Sequence, residues 1–230
     1  MIIFLGCSFT WGQGLQIEKW LKEGKSKEYC NKYMPPNYPA EKYSYEDDKY
    51  RKENHFPALV AKHFDKSYVT KFGNGGSNEQ IIHHLNNLKN HMDIDGIDFV
   101  VIQFTEVTRD MVVNDLETYG GDIPFDEYVK NHIEKQVDWI DKFCKNGIKR
   151  KWFGFSWQKD FGELLETKYK ENYIPLTYKN QDYNNFDDIF GTPEHDLTFQ
   201  RSHDLHDGHF NSKGHRVIAD SIIKKITPYL

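Results

Sequence analysis

A layered α/β fold with a mainly parallel sheet is predicted for this chain by three observations. Short β-branched and aromatic runs recur along it: MIIFL at 1–5, YVTKF at 68–72, DFVVIQF at 98–104 and KWFGFS at 151–156. They alternate with segments whose apolar residues fall at helical spacing, the pattern of a parallel sheet covered by helices. Turns rich in glycine and small residues follow the first two runs, and sheets of this kind bind ligands at the carboxyl ends of their strands.

Element by element, residues 1–5 fit a buried strand, and Gly6 to Gly12 a tight turn. Residues 14–22 form a short helix. Residues 23–54 stand apart in composition, with six tyrosines (29, 33, 38, 43, 45, 50), many lysines and glutamates, and Pro35, Pro36 and Pro39. They show no period and read as an insertion rather than a core element. Residues 56–65 read as a helix with Pro57 in its first turn. After the strand at 68–72, Gly73-Asn74-Gly75-Gly76-Ser77-Asn78 is the strongest loop signal in the chain. Ile81, Ile82, Leu85 and Leu88 mark a helix over 79–92, and 98–104 is the clearest central strand. Val129, Ile133, Val137, Ile140 and Phe143 stripe a helix near 126–146 that Asn146-Gly147 ends. Residues 160–200 are polar and irregular, and 212–226 make a final amphipathic helix. No internal repeat or domain boundary interrupts the chain, so 1–230 reads as one domain.

The chain has 230 residues, of which 38% are hydrophobic, 15% aromatic and 28% charged, which excludes collagen-like, coiled-coil and wholly disordered classes. Thirty Lys and Arg against 35 Asp and Glu give a net charge of −5, which offers no broad basic face to nucleic acid. No stretch approaches the ~20 apolar residues of a membrane helix. The start, MIIFLGCSF, lacks a basic segment and a long apolar run, so no signal peptide is indicated and a cytoplasmic location is expected. Cys7, Cys30 and Cys144 form no CxxC pair and indicate neither a disulfide framework nor a zinc knuckle.

Three places carry candidate chemistry. Ser8 follows the first strand in a turn of small residues, where its hydroxyl stands at the carboxyl edge of the sheet and turn N–H groups are available to an oxyanion; a plain helix-capping serine is the bland alternative. His209 lies just before the last helix, two residues after Asp207. Serine needs a base to become a nucleophile, and a histidine base needs an orienting carboxylate. The Gly75-Gly76-Ser77-Asn78 loop brings backbone N–H groups to the same sheet edge.

As a set, these residues resemble the SGNH (GDSL-type) hydrolases. Gly6-Cys7-Ser8-Phe9-Thr10-Trp11-Gly12 resembles that family's first block, Gly-Asp-Ser-x-Thr-x-Gly. Gly75-x-Ser77-Asn78 resembles the second, and Asp207-x-His209-x-Asn211-x-x-Gly214-His215 the last, in the same order. The resemblance implies a flavodoxin-like three-layer α/β/α fold with Ser8 as nucleophile, His209 as base and Asp207 as its orienter. It further implies an oxyanion hole drawing on the N–H groups of Ser8 and of Gly75 or Gly76. The implied reaction is ester hydrolysis through an acyl-enzyme, on an acylated carbohydrate or a lipid ester, with no metal or organic cofactor.

Three departures stand out. Cys7 replaces the first block's aspartate. The acid usually sits three residues before the histidine, but that position is His206; Asp207 comes one later, and Asp204 is the fallback acid. The third block's oxyanion asparagine is absent from Gln103-Phe104-Thr105-Glu106-Val107-Thr108-Arg109, which leaves Thr105 or Thr108 as side-chain donors. Losing one such donor costs ~10²–10³ in turnover.

Among other residues, Trp11 and Asn78 are expected to touch substrate. Arg109 is a candidate for binding a carboxylate or phosphate, with a surface ion pair as its alternative. His203, His206 and His209 with Asp204 and Asp207 resemble a metal cluster on paper, but the spacing matches no standard motif. Cys7 is expected to be a buried thiol. Three readings follow: a serine esterase whose Ser8 reacts with serine-directed reagents, a binding module whose ligand survives Ser8→Ala, and a metal-dependent hydrolase silenced by chelators.

Overall fold

The computed structural model describes residues 1–33, 43–72, 76–110, 125–192 and 194–230. In chain order the elements are β1 (Ile2–Gly6), α1 (Ser8–Trp11), α2 (Leu15–Lys22), α3 (Lys27–Lys32), α4 (Tyr45–Asn54) and α5 (Phe56–His63). Then come β2 (Tyr68–Phe72), α6 (Asn78–His91), β3 (Phe99–Phe104), α7 (Phe125–Lys142), β4 (Lys151–Ser156) and α8 (Lys159–Lys168). The chain ends with β5 (Leu176–Tyr178), β6 (Gln181–Tyr183), α9 (Phe186–Phe190), α10 (Phe199–His203) and α11 (Ser212–Ile226). The main sheet is parallel throughout, in the order β2-β1-β3-β4, and β5 and β6 form a separate antiparallel pair. Gly6 aligns with Phe72, and Leu5 with Ile102. The carboxyl ends of β1, β2 and β3 therefore lie along one edge of the sheet.

Every residue of β1 and β3 is buried, as expected of strands covered on both faces. Alternate side chains serve opposite layers. Ile3, Leu5, Val100, Ile102 and Trp152 pack with Ile81 and Leu85 of α6, Val137 and Ile140 of α7, and Leu165 of α8. Ile2, Phe4, Val101, Phe153 and Phe155 pack with Val60 of α5 and with Ile218 and Ile222 of α11. Each such side chain contributes about 1.5–3 kcal/mol over exposure. The result is the three-layer α/β/α sandwich that the sequence predicts.

Three segments differ from their sequence expectation. Residues 23–54 are not featureless: α3 and α4 are each capped by a serine, Ser26 and Ser44, whose hydroxyl accepts from the N–H of Tyr29 or Asp47. The contacts of α4 with α2 are largely polar, which is why no apolar period announces it. Asp47 Oδ1 accepts from Trp20 Nε1 (3.1 Å) and Lys19 Nζ (2.9 Å), and the Tyr50 hydroxyl donates to Glu18 Oε2 (3.0 Å). Residues 160–200 likewise contain α8, the β5–β6 pair, α9 and the start of α10. Finally, Asn146-Gly147 does not stop its helix. Burial of Cys144 and Ile148 keeps the chain coiled through a π turn, Phe143–Ile148, which ends on Lys149 in the left-handed region at φ 52°.

Candidate active site

The turn that carries Ser8 is built on tight packing. A Cβ on Gly6 would lie 2.1 Å from Thr10 Oγ1, so only glycine fits where β1 ends. The Thr10 hydroxyl donates to Gln103 Oε1 on β3 at 2.6 Å, anchoring the turn to the neighbouring strand. Ser8 opens α1, a single helical turn that stops on Gly12 at φ 84°. The Gly12 N–H donates to the carbonyls of Ser8 and Phe9, both at 3.1 Å.

The other half comes from the loop between α10 and α11. Phe199 N–H donates to His209 O (3.1 Å), Gln200 N–H to Asp207 O (2.8 Å) and Asn211 N–H to Leu197 O (3.0 Å), which hold the loop as a narrow hairpin. Asn211 then caps α11, its Oδ1 accepting from Gly214 N–H at 3.0 Å.

These two units bring Ser8, His209 and Asp207 together. Ser8 Oγ lies 3.1 Å from His209 Nε2, and His209 Nδ1 lies 2.5 Å from Asp207 Oδ1. An ionised carboxylate only accepts, so Nδ1 carries the ring proton and Nε2 accepts from the serine hydroxyl. Asp207 is buried, while His209 keeps one fifth of its side chain exposed. The two-residue spacing works because Asp207 Oδ1 also accepts from the His209 backbone N–H, at 2.8 Å. The fallback acid, Asp204, points away: it sits in the left-handed region at φ 55°, fully exposed, 3.6 Å from Lys27. The Phe9 ring lies against His209 (centroids 4.6 Å apart) and Trp157 lies against Phe9 (4.3 Å). This aromatic stack beside the imidazole was not anticipated from the sequence. His209 stands alone among the histidines grouped on paper, for no three metal-ligating side chains converge among the described residues.

Of the expected oxyanion donors, Gly75 lies outside the described residues, as does the side chain of Thr108, while Gly76 is buried just before α6. Thr105 is buried directly after β3. Its backbone is already engaged: Asn78 Oδ1 accepts from Thr105 N–H (3.0 Å) and Asn78 Nδ2 donates to Thr105 O (3.1 Å). The Thr105 side chain lies against the buried Cys7 thiol. Asn78 itself is fully buried, so the structure places it as a clamp between two loops rather than at a substrate surface. Cys7 is buried as well, and that burial raises its thiol above the ordinary value, against weaker opposing contacts from Phe9 N–H, Arg109, Thr105 and Ser8. Its thiol is therefore no competitor to Ser8.

Trp11 is also more enclosed than expected. The Arg51 guanidinium lies 4.2 Å from its ring centroid, Tyr43 stacks on it at 5.6 Å, and Arg51 Nη1 donates to Trp11 O at 2.5 Å. Tyr43 and Arg51 are thus joined to the turn that carries Ser8. Arg109 is partly exposed and pairs through Nε with Glu106 Oε2 at 3.3 Å.

Two buried histidines lie beneath these turns. His215 Nδ1 accepts from Phe56 N–H at 3.2 Å, and His55 Nε2 lies 3.0 Å from the Tyr68 hydroxyl. Burial, with the Arg51 charge as a lesser cause, lowers His55 from 6.5 to about 3; burial also takes His215 well below its ordinary value. Both folded values lie below the unfolded ones. As pH falls from 6.5 toward 3, the unfolded chain takes up protons that the folded chain refuses. Stability is expected to fall by about 1.4 kcal/mol per pH unit for each such histidine. Urea midpoints at pH 7 and pH 5 check this; equal midpoints contradict it, and His55→Gln should flatten the slope.

No protein-family model matches the sequence, and no curated protein does. Solved structures do match. A carbohydrate esterase, described as having an active site with divergent catalytic and non-catalytic binding functions, aligns at TM-score 0.50 and 15% identity over 98% of this chain and 67% of its own. An alpha/beta hydrolase from the metagenome of Lake Arreo aligns at 0.50 and 13%, over 98% of this chain and 94% of its own. A protein from Desulfitobacterium hafniense, described as lipolytic and of the G-D-S-L family, aligns at 0.49 and 12%, over 97% and 98%. The fold is shared with the carbohydrate esterase and the alpha/beta hydrolase. At such identities the likeness concerns the fold, and the roles of individual residues rest on this chain's own geometry. The parallel order of β2, β1 and β3 brings Ser8, Gly76 and Thr105 to one sheet edge.

Proposed function

We propose that the protein is a serine esterase acting through an acyl-enzyme on Ser8. The observation that carries this reading is the continuous contact Ser8 Oγ–His209 Nε2–His209 Nδ1–Asp207 Oδ1, at 3.1 and 2.5 Å. As Ser8 Oγ attacks the ester carbonyl, its proton passes to His209 Nε2, and Asp207 stabilises the imidazolium. The tetrahedral oxyanion is met by the N–H groups of Ser8 and of Gly75 or Gly76, and by the Thr105 hydroxyl. When the carbonyl reforms, the alkoxide leaves and takes the proton from His209. A water molecule then repeats the sequence and releases the carboxylic acid. The substrate class we assign is a small acyl group, such as acetyl, on a carbohydrate, or else a lipid ester. Arg109 is assigned to the substrate side of the site. No metal or organic cofactor enters this chemistry.

A second reading, a binding module on the same fold, is favoured by one observation: Asn78 occupies the Thr105 N–H, and no asparagine stands among residues 103–109 at the end of β3. Intact-mass labelling with a fluorophosphonate separates the two. Attack by Ser8 Oγ on phosphorus expels fluoride and leaves one adduct. The esterase reading expects that adduct on Ser8 in the wild type and none in Ser8→Ala. A folded wild-type protein that stays unlabelled overturns it in favour of the binding module.

A further inference from the structure

Trp157 lies one ring away from the His209 imidazole and takes no part in the proton transfers. It directly follows β4, and its backbone N–H donates to Phe104 O at the end of β3 (3.2 Å), so it stands on the sheet edge that carries Ser8. The indole rests on Phe9, with 4.3 Å between centroids, and the Phe9 ring in turn lies 4.6 Å from that of His209. Phe186, Phe190 and Phe210 hold it from other sides at 5.6, 5.0 and 5.6 Å. Even so, the side chain is only partly buried. Trp20 and Trp152 spend their indole N–H groups on Asp47 and Asp141, at 3.1 and 3.0 Å, whereas the Trp157 N–H meets no partner among the described residues. Charged groups border this ring. Asp187 N–H donates to Trp157 O at 3.3 Å, and Asp187 itself is exposed. Gln158, the next residue, accepts through Oε1 from Val107 N–H at 3.0 Å, which brings Glu106 and its partner Arg109 alongside.

We propose that Trp157 is the platform on which the sugar of an acylated carbohydrate stacks while its ester reaches Ser8, with Asp187 accepting from the sugar hydroxyls. The inference rests on the esterase reading and narrows its substrate class to carbohydrate over lipid. The chemistry of the surface decides between them. An alkyl chain laid here would press methylenes against two carboxylates and a guanidinium, and desolvating those charges is costly. A sugar ring offers a C–H face to the indole and hydroxyl groups to its N–H and to the carboxylates, which is how a rigid aromatic with a few polar neighbours recognises a ligand. The position fits as well. The sugar is the leaving alcohol, and the proton it takes comes from His209. A platform one ring from that imidazole holds the alcohol where the proton is delivered.

The test uses the full-length protein with glucose pentaacetate, ethyl acetate and tributyrin as substrates and the fluorophosphonate as a label. The wild type is expected to show its highest kcat/KM on the sugar ester. Trp157→Leu keeps an apolar cover on Phe9 but removes the platform. It is expected to lower kcat/KM on glucose pentaacetate about tenfold more than on ethyl acetate, chiefly through KM, because the lost contact serves the sugar and not the acyl group. Asp187→Asn, at an exposed position, is expected to lower kcat/KM on the sugar ester by about threefold, again more than on ethyl acetate. A wild type that favours tributyrin overturns the proposal. So does a Trp157→Leu loss that is equal on the two acetates, which would make Trp157 a support of the ring stack on His209. Should Trp157→Leu fail to fold, the wild-type preference and Asp187→Asn decide alone. A folded wild-type protein that is not labelled on Ser8 removes the esterase reading and this inference with it; labelling on Ser8 with equal losses on the two acetates removes the inference only.

Discussion

His209→Ala is expected to lower kcat on p-nitrophenyl acetate by about 10⁴-fold or more and to abolish fluorophosphonate labelling of Ser8. The serine hydroxyl has its proton acceptor in Nε2, at 3.1 Å, and without it is no more nucleophilic than any alcohol. The imidazole is partly exposed and lies at the rim of the aromatic stack with Phe9 and Trp157, so its loss should cost little stability. A shift in Tm of under about 4 °C is anticipated. Paired measurement of kcat and Tm therefore separates chemistry from folding. A folded His209→Ala protein that keeps activity within tenfold of wild type would sink the assignment, because proton transfer would then belong to another group.

The largest stability effect is expected at Gly214, in the first turn of α11. A Cβ there would stand 2.6 Å from the Leu197 carbonyl oxygen and 2.7 Å from Phe210 Cδ1. The first is backbone and the second is a buried ring, so neither yields easily. Gly214→Ala should cost about 2–3 kcal/mol and lower Tm by roughly 4–12 °C. Leu197 and Phe210 also belong to the hairpin that carries His209, so activity should fall even where the variant remains folded. Gly208→Ala is the matched control: nothing lies within 4 Å of its Cβ, and it sits between the acid and the base. Thermal melts that rank Gly208→Ala as the worse of the two would contradict this packing.

The legible parts of this molecule are those that depend on local pattern. Mostly apolar runs announce β1 and β3 because both sheet faces are covered. The spacing of Val129, Ile133, Val137 and Ile140 announces α7. The contact among Ser8, His209 and Asp207 was legible because each sits in a short run of residue types that suit a nucleophile, a base and an orienting acid. What was hidden depends on distant partners. The side chains that tie α4 down include Asp47 and Arg51, buried against α2 and the nucleophile turn, and their polarity reads as surface. Helix α8 was masked by Gly162, which is there because the Asn184 carbonyl oxygen would lie 2.4 Å from a Cβ. Asn78 looked like a residue waiting for substrate because the loop it clamps follows a different strand, 27 positions away. Trp11 looked available because its cover comes from Arg51, 40 positions on.

Ser8 and His209 are separated by 201 positions, and this separation has a consequence during synthesis. The segment that carries Ser8 leaves the ribosome well before the one that carries the imidazole. Strand β1 lies between β2 and β3, so it waits for both before its edges are paired. Until α11 docks, Ser8 is an ordinary alcohol on an unfinished sheet. On the esterase reading, the chain is thus silent toward esters until the segment that carries His209 docks.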